Sequence, residues 1–471
     1  LALVTLRWQA LAKVRINARH MAKMRVFFVL FVVAFGGCSS GGQLTPAHLS
    51  GAVRASGSDS ILYTFTGAAG DGSSPYASPI VDSKGVVYGV SLDGTNKVDG
   101  LVWKLTPKGS GYTESPVYEF SSSQAHGSYP EGGLIEDSAG ALYGTGATGG
   151  KGPCLYMGSG CGVVFKLTPS GGKYTESILH DFGGAAKDGG IPVDALLLSG
   201  NELYGTTEYG GSGSCQETGF NGCGTVFEVS TKGSGYQVIY SFQGGNDGVN
   251  PATSLIAGKN GVLYGTTNFG GGSTACTAGC GTVFELTPKG GKYTESVLYA
   301  FQGGQSDGSV PGNRGRGLYL ASNGSLVGTT HTGGSGGCAI VFVPGCGVLF
   351  ELTPSGGKFK ESILYTFEGG NDAAFPEESL VAGKGGVLYG ASTGGGGSSV
   401  CQGGCGTVFS LTPSGKGYSE AVVYGFASGN DGGLPYDGVT MDSAGTLYGT
   451  THVGGESKTC NSCGTVFSVK P

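Results

Sequence analysis

The 471-residue chain holds 97 glycines and 13 cysteines, and only 13% of its residues are charged. Glycine so far above its usual share of about 7%, with no every-third-residue period, excludes collagen. Six of the 27 basic residues and none of the 33 acidic ones precede Cys38, so the remainder carries net −12, which argues against a nucleic-acid partner.

In chain order, Leu1 to His20 carry no signal of their own and read as sequence upstream of the true start. From Met21 the pattern changes: Lys23 and Arg25 precede the apolar core Val26 to Phe35, the make-up of a secretory signal peptide over residues 21–37. Ten apolar residues are too few for a permanent membrane span. Two glycines before Cys38 and "SSGG" after it resemble a bacterial lipoprotein processing site, with Phe35 departing from the aliphatic residue usual there. Cys38 is therefore expected to be lipidated, residues 38–59 to form a linker, and residues 60–471 to form the folded domain.

The body is a tandem repeat. Short runs of Val, Ile, Leu, Tyr, Phe and Thr alternate with Gly-rich turns, which reads as all-β. The fourth copy shows the order: "PATSLIA" from Pro251, "VLYGTTNFGG" from Val262, a Cys-bearing loop, "GTVFELTP" from Gly281 and "YTESVLYAF" from Tyr293. The second run recurs at Tyr88, Tyr143, Tyr204, Tyr264, Val327, Tyr389 and Tyr448. Fourth-run ends fall at Phe65, Phe120, Phe182, Phe242, Phe301, Phe367 and Phe426. Four antiparallel strands at this period, in seven copies, predict a seven-bladed β-propeller. The seventh copy stops after its third strand, while "SILYTF" at Ser60 to Phe65 is a fourth strand with no blade before it. The N-terminal strand is thus expected to complete the last blade and remove an exposed edge.

Twelve cysteines form close pairs: Cys154 with Cys161, Cys215 with Cys223, Cys276 with Cys280, Cys338 with Cys346, Cys401 with Cys405, and Cys460 with Cys463. In an exported chain they read as one disulfide within each loop, since structural zinc would need four ligands per site.

At "LYGTTNFGG", "GCGTVFELTP" and "SVLYAFQGGNDG" the repeats resemble those of the choice-of-anchor tandem-repeat GloVer family of exported bacterial proteins. The resemblance implies surface attachment, here through Cys38, and no established activity. The first copy lacks Cys, and the fifth has Val327 at the Tyr position and an insertion at Gly312 to Gly317.

Longer loops on a rigid scaffold are where function concentrates, so the face bearing the Cys loops and interblade connections is the candidate site. Asp71, Asp188, Asp247, Asp307, Asp372 and Asp431, with His126 in the second copy, recur between blades. They could ring a Ca²⁺ ion, but an Asp repeated in nearly every blade more simply makes a turn by bonding its own backbone. No cofactor is expected. Just after each Pro stands a variable set at the channel mouth: Tyr76, Glu131, Asp194, Arg314, Arg316, Glu377, Glu378, Tyr436 and Asp437. These could bind a sugar or peptide or do acid–base work, or could be solvated rim residues. The position after the second strand holds Leu92, Ala147, Glu208, Asn268, His331, Thr393 and His452, where the two His read as lone exposed residues.

No nucleophile elbow, metalloprotease helix or phosphate loop is present. The expectation is a monomeric, lipid-anchored envelope module binding a glycan or protein ligand and touching the membrane only through its lipid. The alternatives are a carbohydrate-active hydrolase or lyase using channel-mouth carboxylates, and a structural envelope protein.

Overall fold

The computed structural model describes residues 58–471, apart from 69, 95–98, 122–125, 155–159, 218–219, 252, 313–316, 341–342, 378–379, 457–459 and 461. Cys38 and the leader, and Arg314, Arg316 and Glu378 of the channel-mouth set, lie outside the described residues.

Seven antiparallel sheets form a seven-bladed propeller. In the fourth blade the strands are Ile256–Ala257, Leu263–Thr267, Thr282–Lys289 and Lys292–Ala300, paired in that order. The last blade pairs Thr440–Met441, Leu447–Thr451 and Thr465–Lys470 with the N-terminal strand Ser58–Thr64. That strand begins two residues before the expected Ser60. Its register runs from Ser58 opposite Lys470 to Thr64 opposite Thr465, with a bulge between Ile61 and Tyr63. The same bulge lies between third and fourth strands elsewhere, for example at Val283/Phe284, so the closing strand copies the geometry of an ordinary blade.

The motif residues have packing reasons. The Gly of each "LYG" lies under the aromatic ring of its own third strand: a Cβ on Gly265 would sit 2.5 Å from the Phe284 ring. Each fourth strand ends in a buried Phe that packs edge-on against the third-strand aromatic of the next blade, as in Phe301–Phe350 at 5.0 Å and Phe426–Phe467 at 5.0 Å. The closing seam does the same with Phe65 and Trp103 at 5.4 Å. Edge-to-face pairs of this kind contribute about 0.5–1.5 kcal/mol beyond burial. An apolar cluster fills every seam, and the closing one joins Phe65, Trp103 and Leu105 to Tyr448 and Val466.

Two features depart from the sequence reading. First strands are only two or three residues long, as Ile256–Ala257 and Leu197–Ser199 are. In compensation, the segment before each Pro pairs with the end of its own second strand, as Gly308–Pro311 does with Leu326–Gly333.

Candidate functional site

The channel mouth is built on an unusual backbone. The residue directly before the Pro is left-handed in all seven blades: Ser74, Tyr129, Ile191, Asn250, Val310, Phe375 and Leu434 have φ between 50° and 60°. For β-branched or bulky side chains this conformation is costly, and it persists only where the surroundings over-determine it. The determinant is the preceding blade's stapled loop. The N–H of Ile191, Asn250, Val310, Phe375, Leu434 and Ser74 donates to the carbonyl of Cys161, Cys223, Cys280, Cys346, Cys405 and Cys463, at 2.7–2.9 Å. In the blade lacking Cys, Asp99 takes that place under Tyr129.

The six disulfides form as paired in the sequence, with Cα separations of 4.9–5.9 Å. They indicate an oxidising, extracytoplasmic compartment. Among the described residues no helix is long and apolar enough to cross a membrane.

On this frame the residue after the second strand lies beside the post-Pro residue of the following blade. Hydrogen bonds from Glu208, Asn268 and His452 N–H to the carbonyls of Ile191, Asn250 and Leu434 hold the position. Two such neighbours carry chemistry. His331 Nδ1 lies 3.6 Å from Glu377 Oε1, and the His331 ring lies 5.4 Å from that of Phe375. His452 meets Tyr76 edge-on at 5.8 Å and Tyr436 at 4.9 Å, while Tyr76 and Tyr436 stack at 5.5 Å. Burial, the larger cause, and the Glu377 carboxylate both hold the Tyr436 hydroxyl above its usual pKa. Blades five, six, seven and one thus present one arc of His331, Glu377, Tyr436, Tyr76 and His452.

Burial pushes both imidazoles down to about 4; at His452 the Asp93 charge and the Pro75 carbonyl oppose the shift. Neither His is the exposed side chain the sequence suggested: both are half-buried, His331 beside Glu377 and Phe375 and His452 against Tyr76 and Tyr436. Both are therefore neutral in neutral solution. Folding then excludes the proton that an ordinary His, with pKa 6.5, would bind. This contribution to stability is complete above about pH 6.5 and is lost as pH falls towards 4.

The remaining post-Pro residues are not solvated rim groups either. Glu131, Asp194, Glu377 and Asp437 are all buried. Asp437 joins blade seven to blade one, accepting from the Ser78 N–H at 2.7 Å, and Asp194 accepts from Thr206 Oγ1 at 3.0 Å. The recurring Asp residues are turn-makers: Asp307 accepts from the Gln302 and Gly308 N–H groups, both at 2.6 Å, and from Tyr299 Oη at 2.9 Å. Asp372 repeats the pattern.

A family model described as the Gloeobacter/Verrucomicrobia repeat matches residues 33–214, 155–342 and 343–471. The chain belongs to that repeat family, and it folds as a seven-bladed β-propeller. A search of the curated proteins finds no match. Among solved structures, a fungal alcohol oxidase in complex with copper is 13% identical with a TM-score of 0.51, over 88% of this chain and 76% of that one. A polysaccharide lyase, ulvan lyase, is 9% identical with a TM-score of 0.49, over 86% and 94%. A Thermus thermophilus protein described as an oxidoreductase of the glucose dehydrogenase type is 14% identical with a TM-score of 0.39, over 88% and 99%. At such identities the oxidase speaks for the fold alone.

Proposed function

We propose that the protein is a ligand-binding module of the bacterial envelope, exported by the leader at 21–37, anchored through Cys38, and binding a glycan on the arc of blades five to one. The observation that carries this reading is the convergence of Tyr76, Tyr436 and His452 beside His331 and Glu377. Aromatic rings suit the apolar face of a sugar, and a neutral imidazole and a carboxylate suit its hydroxyls. Strained, multiply anchored backbone under these side chains holds them ready for a ligand.

The test is a glycan and peptide array on the full chain, with EDTA as a control for a cation requirement. Y76A and Y436A are each expected to weaken the captured glycan at least about tenfold, the loss on truncating an anchoring aromatic. Affinity should be flat from pH 6 to 8 and fall as the two His protonate towards pH 4. An array without a glycan hit, or variants that bind like the parent, would remove the reading. Loss of membrane retention in C38S checks the anchor separately.

The His331–Glu377 approach favours one second reading, a carbohydrate-active hydrolase or lyase in which neutral His331 takes a proton beside Glu377. New chain ends released from a polysaccharide panel by the parent protein and not by H331A would establish it.

A further inference from the structure

On the outer wall, away from the channel, the blade seams repeat a second constellation. The fourth-strand Tyr of one blade donates to the Asp of the next interblade turn: Tyr240 to Asp247 at 3.1 Å, Tyr299 to Asp307 at 2.9 Å and Tyr365 to Asp372 at 3.0 Å. The following blade brings a Glu from its own fourth strand against this pair, Glu295, Glu361 and Glu420 respectively. Glu114 does so against Tyr63 and Asp71 at the closing seam. The oxygens of Asp307 and Asp372 are taken by backbone N–H groups and the Tyr hydroxyl. Oε1 of Glu114, Glu295, Glu361 and Glu420 is buried with no hydrogen-bond partner. No Lys or Arg pairs with either carboxyl at these seams among the described residues.

Two carboxylates at close quarters without a cation repel, and a buried acceptor without a donor costs about 1–3 kcal/mol. One proton cures both defects. Two of the other seams place different groups at these positions. Where His126 replaces the Asp, it pairs with Glu176. Where His180 replaces the Tyr, Tyr236 stands in place of the Glu, stacks on it at 3.3 Å and donates to Asp188. At these two seams a proton donor stands where four seams have two carboxyls.

We propose that these four seams are proton locks, each closed by a proton held on the Glu and shared with the Asp of the neighbouring turn, so that the ring is held more firmly in neutral or mildly acid solution than in alkaline solution. Burial first, and the Asp charge second, push Glu114 up to about 8 and Glu295 and Glu361 up to about 7. In Glu420 burial, the hydrogen bond to Asp372 and its charge push the carboxyl up to about 9. The facing groups are Tyr63 and Asp71, Tyr240 and Asp247, Tyr299 and Asp307, and Tyr365 with Asp372, Glu368 lying near Tyr365. A carboxyl raised above its unfolded value, 4.5 here, binds its proton in the folded state. The stability it confers is complete below that value and is lost as pH rises through 7 to 9. Channel-mouth His331 and His452 act in the opposite sense, below pH 6.5, so their contribution does not change between pH 6.5 and 9, where that of the Glu carboxyls does.

The experiment is calorimetry of the full chain at pH 6.5 and pH 9.0 at fixed ionic strength, with the E114Q/E295Q/E361Q/E420Q variant and with E420Q alone. Gln supplies a donor without a charge. The parent is expected to melt several degrees lower at pH 9.0 than at pH 6.5. The quadruple variant should lose at least half of that drop, and E420Q should melt above the parent at pH 9.0. A parent that melts as high at pH 9.0 as at pH 6.5, or a drop that E420Q and the quadruple variant leave unchanged, overturns the proposal. Should the quadruple variant not fold, E420Q at pH 9.0 decides alone.

Discussion

Deleting residues 58–65 is expected to abolish the cooperative fold, although it removes only an N-terminal segment. The strand supplies the outer partner of Thr465–Lys470, and without it that strand becomes an open edge. It also removes Phe65 from the face of Trp103 and Ile61, Leu62 and Tyr63 from the seams they fill. Truncating one buried Phe alone costs about 3–5 kcal/mol. With the neighbouring apolar contacts the loss approaches the whole stability of a typical domain, about 5–15 kcal/mol. Thermal melting by circular dichroism checks this: the truncated chain should show no cooperative transition or should aggregate. A cooperative melt within a few degrees of the parent would mean that blade seven stands without its fourth strand.

The second large effect is expected from G464V, in the joint between blade seven and blade one. Gly464 has φ +85°, and a Cβ there would lie 2.3 Å from the Thr451 carbonyl and 2.4 Å from the Pro75 ring. Its neighbour Cys463 accepts from the Ser74 N–H at 2.9 Å, so displacing the loop also frees the left-handed residue beneath Tyr76. Left-handed strain and overpacking together predict a loss of about 3–5 kcal/mol. Gly109 is the control, with φ +62° but open space around its Cβ position; G109A should lose only about 1 kcal/mol. Denaturant titration of both variants separates the clash from the backbone conformation. Equal losses in the two would show that packing against Pro75 is not what holds the joint.

The repeat order was legible in the sequence because each copy states the same four strands, and the orphan "SILYTF" told where the ring closes. The Cys pairs were legible from proximity alone. The left-handed residue before each Pro was not: Ile191, Val310 and Phe375 are poor choices for positive φ, and only a hydrogen bond from outside their own blade explains them. The arc at the channel mouth was half legible. Tyr76, Glu377 and Tyr436 stand out in the sequence as variable residues in a fixed frame, whereas His331 and His452 read as lone exposed residues. Glu377 lies in the next blade, some 46 positions after His331, and of the two rings that His452 meets, Tyr436 is in its own blade and Tyr76 is near the start of the folded region. The usable signal was an offset: the residue after one second strand belongs with the residue after the next Pro. The proton locks were hidden for the same reason, since Glu420 and Asp372 face each other across a seam.

The closed ring requires the strand Ser58–Thr64 to meet Thr465–Lys470 in one blade, and a cross-link tests that directly. Ser60 lies opposite Ser468 across the closing pair of strands. Neighbouring positions in an antiparallel pair have the Cα separation that a disulfide accepts, about 4.4–6.8 Å. Oxidised S60C/S468C should yield, after digestion and mass spectrometry, a peptide joining positions 60 and 468 within one chain, with the six native disulfides intact. Free thiols at both positions, or a link only between chains, would contradict the closed seven-bladed ring.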